Sequence, residues 1–383
     1  MVGALFARGT AIVTSPVRLH RVRLRVRSAP HPFFGWRVVW AAFVVAVFGW
    51  GLGFYGPPIY LEAVRLARGW SVALVSGAVT VHFLAGVIVV ANLPRLHARF
   101  GLPVVTLAGA VLLALGIVGW AVAREPWQLY AATLLSGSGW VALGAAAVNA
   151  MVAPWFVTKR PAALSMAYNG ASVGGIIFSP LWVALIALVG FPAAALIVGA
   201  ATVVVIGGLA ATILGRAPES MGQLPDGAEG TSLLTKAVAD ATAPALTNPW
   251  RDARFLTLAA GMALALFAQI GLIAHLVSLL APALGTQGAG LAAGLSTAAA
   301  ILGRTLVGWF MPHDTDRRVV ASLSLAVQSV DCGALIAAGG ANVPLLLAGV
   351  ILLGLGIGNA TSLPPLIAQS EFSKGDVGRA VAL

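Results

Sequence analysis

LAAGLSTAAAILGRTLVGWFM, residues 291–311, is a run of uncharged residues interrupted by one arginine, Arg304. At about 1.5 Å of rise per residue, a helix of this length spans the roughly 30 Å of a bilayer's hydrocarbon core. An arginine near the middle of such a helix costs roughly 2.5–3.5 kcal/mol on insertion scales. A chain that keeps it there is expected to turn it toward a protein interior, a water-filled cavity or an anion. One cation in one apolar helix points to a carrier for something negatively charged.

The rest of the chain agrees with a membrane reading. Its 383 residues are 59% hydrophobic and 9% charged, with a mean hydropathy of +0.95, whereas a soluble domain is about one quarter charged. Apolar runs of about 20 residues predict ten spans: 38–60, 72–93, 103–123, 127–153, 162–189, 191–214, 255–281, 289–311, 319–339 and 342–369. Only Gly190 separates the fifth from the sixth, and Phe191-Pro192 opens the latter, so a tight helical hairpin is expected there. The runs are too long and too rich in Gly and Ala for barrel strands, which alternate over about ten residues. The predicted fold is an all-α polytopic membrane protein.

The net charge of +11 raises the possibility of nucleic-acid binding, and its distribution argues against it. With the N-terminus placed in the cytoplasm, Arg8, Arg18, Arg21, Arg23, Arg25, Arg27, Arg37, Arg95, Arg99, Lys159, Arg160, Arg216, Lys236, Arg251, Arg254, Arg317, Arg318, Lys374 and Arg379 fall inside. Arg65, Arg68 and Arg124 fall outside. That asymmetry follows the positive-inside rule and needs no nucleic acid. Residues 1–34 form a basic cytoplasmic tail without the ordered apolar segment and cleavage site of a secretory signal. It reads as a topogenic tail, as residues upstream of the true start, or as a polybasic arm for anionic lipid. The lone Cys332 excludes an internal disulfide, a CxxC pair and a cysteine zinc site.

The longest polar segment between spans, 215–254, divides an N-terminal bundle of six helices (35–214) from a C-terminal bundle of four (255–383). The two parts echo each other at an offset of 218 residues, where Pro94 meets Pro312 and Arg99 meets Arg317. Parallel halves around a central loop are an organisation of secondary transporters.

Trp155-Phe156-Val157-Thr158-Lys159-Arg160-Pro161, followed by small residues to Gly170, resembles the fifth-helix signature of the monocarboxylate-porter branch of the major facilitator superfamily. Gly35-Trp36-Arg37-Val38-Val39 is similar to that branch's first-helix opening, and Leu224-Pro225-Asp226-Gly227 fits many bacterial members. The superfamily's Asp-Arg-x-Gly motif is degenerate at Ala98-Arg99-Phe100-Gly101, while Asp316-Arg317-Arg318 keeps an acid. The resemblance extends over residues 33–383. It implies a major facilitator fold with helices 11 and 12 absent, gating loops at Arg99, Lys159, Arg160, Asp316, Arg317 and Arg318, and Arg304 as the eighth-helix binder of a substrate carboxylate. A guanidinium can grip a carboxylate bidentately. The chain departs from relatives of this branch at Ala300, where some carry an Asp, and at Tyr55-Gly56-Pro57-Pro58-Ile59, where some carry a Lys. The second cation that oxalate–formate antiporters carry in the eleventh helix would lie beyond Leu383.

Residues facing Arg304 along its helix (Thr297, Ala300 and Gly308) are small and leave room for a ligand or a neighbouring helix. A small-residue stripe, Ala163, Ala167, Gly170 and Gly174, suits close helix packing in lipid. Gly49, Gly53 and Gly56 on the first span and Gly354, Gly358 and Thr361 on the tenth suit it too. Tyr55, Asn149, Asn169, Gln269 and Asn359 are candidate substrate contacts, each competing with a role as an interhelical hydrogen bond. Asp331, the one acid within a span, and His275 and His82 are candidate proton-coupling groups. Gln269 and His275, about 120° apart on a helix, are not expected to share a ligand.

No HExxH, GxSxG, carboxylate pair within a span or phosphate-binding loop is present, so no catalytic residue, metal or cofactor is expected. The expected activity is proton-coupled or exchange transport of small organic anions across a bacterial inner membrane by a monomer. A drug or other solute efflux carrier, and a truncated non-transporting homologue, are the alternatives. Val377–Leu383 reads as the start of a further span, so two more helices are expected past Leu383 in a longer protein.

Overall fold

In the computed structural model residues 33–227, 248–312 and 314–382 are described, and every regular element among them is helical. The basic tail up to residue 32, and the part of the central loop that holds Lys236, lie outside the described residues. Seven helices precede the loop: α1 (Gly35–Gly53), α2 (Gly56–Arg68), α3 (Val72–Phe100), α4 (Leu102–Val122), α5 (Pro126–Ala142), α6 (Ala145–Val152) and α7 (Arg160–Leu209). Five follow it: α8 (Ala253–Phe310), α9 (Arg317–Ala337), α10 (Val343–Ile357), α11 (Leu363–Glu371) and α12 (Lys374–Ala382). Eight helical segments are long and apolar enough to cross a membrane, and Val343–Ile357 is a shorter apolar helix.

The helices start and stop where local chemistry directs. Ser71, Asp252, Asp316 and Asn342 each accept a main-chain N–H in the first turn of α3, α8, α9 and α10, which satisfies donors that the helix leaves orphaned. The expected hairpin after the fifth span is a break at Gly190 (φ 78°) inside α7. A second such break, at Gly285 (φ 69°), interrupts α8 between the seventh and eighth runs. Both need a residue without Cβ, because the left-handed region is costly for any other.

Three apolar runs that read as single spans are broken. The first splits into α1 and α2 at Phe54-Tyr55, the fourth into α5 and α6 at Leu143-Gly144, and the tenth into α10 and α11 across 358–362. Carbonyls released at the first break are taken up by the Tyr60 hydroxyl, which donates to Leu52 O at 3.1 Å, and by His82 Nε2 at Gly53 O, 2.9 Å. Beside the second, the Tyr168 hydroxyl donates to Ala145 O, in the first turn of α6, at 2.8 Å. Apolar composition cannot reveal such breaks, since the residues on either side are equally greasy.

The repeat at an offset of 218 does not occupy equivalent positions. Pro94 and Arg99 lie inside α3, which continues to Phe100. Pro312 lies beyond the end of α8, and Arg317 opens α9. Met311 before Pro312 is extended (ψ 118°), as the ring of a following proline favours, and the helix stops there.

The small-residue stripes pack main chain against main chain. Gly170 and Gly174 sit against the Phe43 and Val47 carbonyls of α1, and Gly354 and Gly358 sit against the Ser296 and Ala300 carbonyls of α8. Gly308 of α8 meets Ser165 and Pro161 of α7, which joins the two sets of helices. Trp36 stacks on Trp309 there, with ring centroids 6.0 Å apart. At this end Val307, Met311, Leu363 and Leu366 pack into the core of α1–α7. Toward the Gly285 end, Leu276, Leu280, Ala289, Leu335, Leu346 and Val350 form a core of their own. Among the described residues, the apolar core that the two sets of helices share lies at the Trp309 end.

Candidate functional site

Arg304 lies in that joint, and only 5% of its surface is exposed. Its Nε donates to Gly358 O, and its Nη1 donates to Tyr168 O at 2.8 Å and to Asn169 Oδ1 at 3.0 Å. The partners come from both sides: Tyr168 and Asn169 from α7, Gly358 from the break between α10 and α11. That break explains why the carbonyl is available: the amides of the following turn bond to Gly356 O, Ile357 O and Asn359 O and pass over Gly358 O. The Ser165 hydroxyl donates to Arg304 O at 2.7 Å, and Asn169 Nδ2 donates to Thr305 Oγ1 at 2.9 Å. Tyr55, half-buried with its ring against Gly175, is close enough to interact electrostatically with the guanidinium.

Among the described residues no carboxylate pairs with Arg304, and its Nη2 has no hydrogen-bond partner. The charge is held by two carbonyls and an amide oxygen, all dipoles. An anion placed at Nη2 would meet a cation that nothing else neutralises. Surface hollows of about 310 Å³ beside Val307 and Met311 and about 410 Å³ beside Val64 and Trp120 are lined by residues other than Arg304.

The other sequence candidates divide into groups. Tyr55 and Asn169 gather at Arg304. Asn149 is buried with Oδ1 unpartnered. Gln269 is also buried, and its Nε2 donates to Gln328 Oε1 at 2.7 Å. Asn359 Nδ2 donates to Ser324 Oγ at 3.3 Å, and its Oδ1 is unpartnered. His82 is fixed between Gly53 O and Ser136 Oγ, 2.8 Å from Nδ1, and Trp120 Nε1 donates to the same hydroxyl. His275 is exposed, in keeping with its separation from Gln269. Asp331 is fully buried and neither carboxylate oxygen has a nitrogen or oxygen partner; the adjoining Cys332 thiol interacts with it.

The loop residues cap and clamp helix ends. Arg99 is exposed, its guanidinium 5.2 Å from the Phe100 ring centroid. Arg160 Nε donates to Phe156 O at 2.6 Å. Main-chain N–H groups of Val157, Thr158 and Lys159 all donate to the carboxylate of Asp226, at 3.0 Å and 3.1 Å for the first and last. Asp316 caps α9, Arg317 is half-buried with Nε unpartnered, and Arg318 grips Glu371 with both Nε and Nη2. Arg318 also donates to Arg254 O at 2.7 Å. The Arg254 guanidinium, hydrogen-bonded to Asp252 at 2.6 Å, pulls that carboxyl down to about 2.

Sequence reasoning missed Gln328, Ser324, Ser165 and the two carbonyls on Arg304. Ser324, Gln328, Asp331 and Leu335 follow i, i+4, i+7, i+11 spacing, a helix face that would have placed the first two beside Asp331. Ser165, Tyr168 and Asn169 lie within the fifth-helix signature already quoted.

Solved structures share the architecture. The Escherichia coli fucose:proton symporter FucP, as its N-to-A mutant, aligns over 92% of this chain and 88% of its own with a TM-score of 0.62 and 14% identity. A double-tryptophan mutant of XylE aligns over 91% and 84% with a TM-score of 0.66, also at 14% identity. Monocarboxylate transporter 11 of Mus musculus is 32% identical over 180 residues, 45% of this chain and 38% of that protein. The model of the Major Facilitator Superfamily matches residues 39–383, and this multi-pass membrane protein belongs to that family.

Proposed function

We propose that the chain carries small organic anions by alternating access, with Arg304 as the cation that receives the substrate carboxylate. The observation that carries this reading is a buried guanidinium at the joint of the two helix sets, with no carboxylate partner among the described residues and Nη2 unsatisfied. The cost of burying an unpaired charge is offset when an anion arrives. The bonds to Tyr168 O and Gly358 O tie the two sides together. A substrate that competes for the guanidinium would loosen them, which links binding to movement of the halves.

The similarity to a monocarboxylate transporter supports the substrate class, and the charge asymmetry of the loops supports a cytoplasmic N-terminus in a bacterial inner membrane. In this reading residues 35–214 and 255–383 are the two rocking bundles, with Tyr55, Asn149, Asn169, Gln269 and Asn359 lining the path between them. Transport is coupled to protons or runs as exchange, and the working unit is a monomer.

The test is uptake of labelled mono- and dicarboxylates into proteoliposomes by the wild type, Arg304→Lys and Arg304→Ala. A charged hydrogen bond contributes about 1.5–3 kcal/mol, so Arg304→Ala should weaken substrate affinity about ten- to a hundredfold. Arg304→Lys keeps the charge without the fork and should fall between. If Arg304→Ala transports anions with unchanged affinity, Arg304 is a cross-tie between helices and the proposal fails.

A further inference from the structure

Polar groups of the C-terminal helices form a hydrogen-bonded seam that runs from Gln269 toward Arg304, with Asp331 just past its outer end. Gln269 of α8 donates to Gln328 Oε1 at 2.7 Å, and Gln328 Nε2 donates to Ser324 O at 3.2 Å. The Ser324 hydroxyl donates to Gly356 O at 2.9 Å and accepts from Asn359 Nδ2 at 3.3 Å. Asn359 follows Gly358, whose carbonyl receives Arg304 Nε. At the other end of the seam, Asp331 lies three residues beyond Gln328 on the same helix face, about 5–6 Å between Cβ atoms.

Asp331 is fully buried, where α9 packs on Gly349 of α10, and its carboxylate oxygens have no nitrogen or oxygen partner, only the adjoining Cys332 thiol. Buried polar atoms almost always have partners, and a thiol is a weak donor, so the carboxylate keeps acceptor capacity for a proton. Beyond the thiol, no titratable neighbour among the described residues neutralises it. Cys332 adjoins it on α9, and α10 has no titratable side chain. On α11, Glu371 is bound to Arg318. Helix α8 reaches the seam through Gln269, and its Arg254 is bound to Asp252. His275 is exposed, and Arg304 is held at the seam's far end.

We propose that Asp331 is a proton-binding site and that Gln328, Ser324 and Asn359 relay its state to Gly358 and so to Arg304. This inference rests on the carrier reading for its purpose and names the coupled ion. The proton adds to one Asp331 oxygen and turns an acceptor-only group into one that also donates. The ionised carboxylate draws the second N–H of Gln328, whose first N–H is on Ser324 O. Protonation releases it, and the shift of Gln328 moves the Ser324–Asn359 contact beside Gly358. Gln328 is thus a positioning residue, with both a donor and an acceptor to answer either state.

The test uses the purified full-length chain in lipid bilayers, titrated with acid while infrared difference spectra are recorded. A protonated-carboxyl stretch should grow in the wild type and vanish in Asp331→Asn. It should be displaced in frequency in Asp331→Glu, the variant to use if the amide disturbs folding. Gln328→Leu should keep the band and move its pH midpoint. In proteoliposomes an inward proton gradient should stimulate anion uptake by the wild type, and Asp331→Asn should lose that stimulation while retaining anion exchange. Spectra of Asp331→Asn and Asp331→Glu that superimpose on the wild type overturn the site. A gradient response that survives in Asp331→Asn overturns its coupling role. If the wild type moves no anion under any gradient, the carrier reading fails alone, and the infrared titration still decides whether Asp331 binds a proton.

Discussion

The helices before the central loop and those after it differ in where their charged groups and glycines find partners. In α1–α7, Tyr60, His82 and Tyr168 take up carbonyls at or beside helix breaks, and Trp120 and Ser136 complete the His82 network. Glycines there are packed: Gly49, Gly116, Gly139, Gly170 and Gly174 each face a neighbouring main chain. In α8–α12, Asp331, Asn359 and Arg317 keep unpartnered atoms, and Gly261, Gly271, Gly290, Gly294 and Gly333 face open space while Gly308, Gly354 and Gly358 are packed. The first set reads as a scaffold that satisfies most of its own polar groups, apart from single atoms of His97, Trp140, Asn149 and Trp182 that keep no partner. The second carries the groups that an ion or substrate could satisfy, with Arg304 at the boundary between them.

The largest way to break this contrast is to fill matched glycines. Gly174→Leu would push a side chain into the Val47 carbonyl of α1. Overpacking costs about 1–3 kcal/mol, and the upper end is expected because main chain cannot rotate aside as a side chain can. Gly261→Leu has nothing within 4 Å and should stay within about 0.5 kcal/mol of the wild type. Thermal unfolding of the two variants in detergent measures the difference. Equal losses would mean that the two sets of helices are equally tightly packed.

Much of this was legible in the sequence because lipid imposes simple rules. Long apolar runs marked the helices, Gly190 marked a break, and the price of a charge in hydrocarbon singled out Arg304 before any partner was known. The partners were illegible because two of the three are main-chain carbonyls, which every residue has. Which carbonyls are free depends on a break at 358–362 that lies inside one apolar run. Gln328 and Ser324 were overlooked because α9 is mostly exposed, and polar residues on such a helix carry no signal until its buried face is known. Phe54-Tyr55 and Leu143-Gly144 hide breaks for the same reason as the tenth run. Asp226 was noted only as part of a motif, since its three amide partners lie 67–69 residues earlier.

Asp226 gives the next prediction, smaller than the glycine effect and again confined to the first set. Its carboxylate holds the turn that feeds α7, and its own N–H donates to Trp155 O at 2.9 Å. Asp226→Ala would leave three amides without their acceptor, and losing a cap of this kind costs about 1–2 kcal/mol. Asp226→Asn keeps one acceptor oxygen and should recover part of the loss. Melting temperatures of the pair should fall in that order, with hydrogen exchange accelerated at residues 157–159 in the alanine variant. Protection that is unchanged there would show that the turn holds without its carboxylate.

The smallest effect is expected at the other helix set, where Asp252 caps α8 and pairs with Arg254 at the surface. Its carboxyl is held down to about 2, against an ordinary value of 3.8, chiefly by the hydrogen bond from Arg254. A carboxyl with a lowered folded pKa stabilises the fold above its unfolded pKa, and that contribution disappears as pH falls through the folded one. The advantage of the wild type over Asp252→Asn should therefore be level at neutral pH and shrink between about pH 4 and pH 2. Solvent and salt screen an exposed pair, so added salt should reduce the difference at neutral pH as well. Melting curves of both proteins across that acid range, at low and high ionic strength, check the sign. A gap that widens on acidification would show that the Asp252 charge opposes folding, and that the second set of helices does not rely on its surface ion pairs.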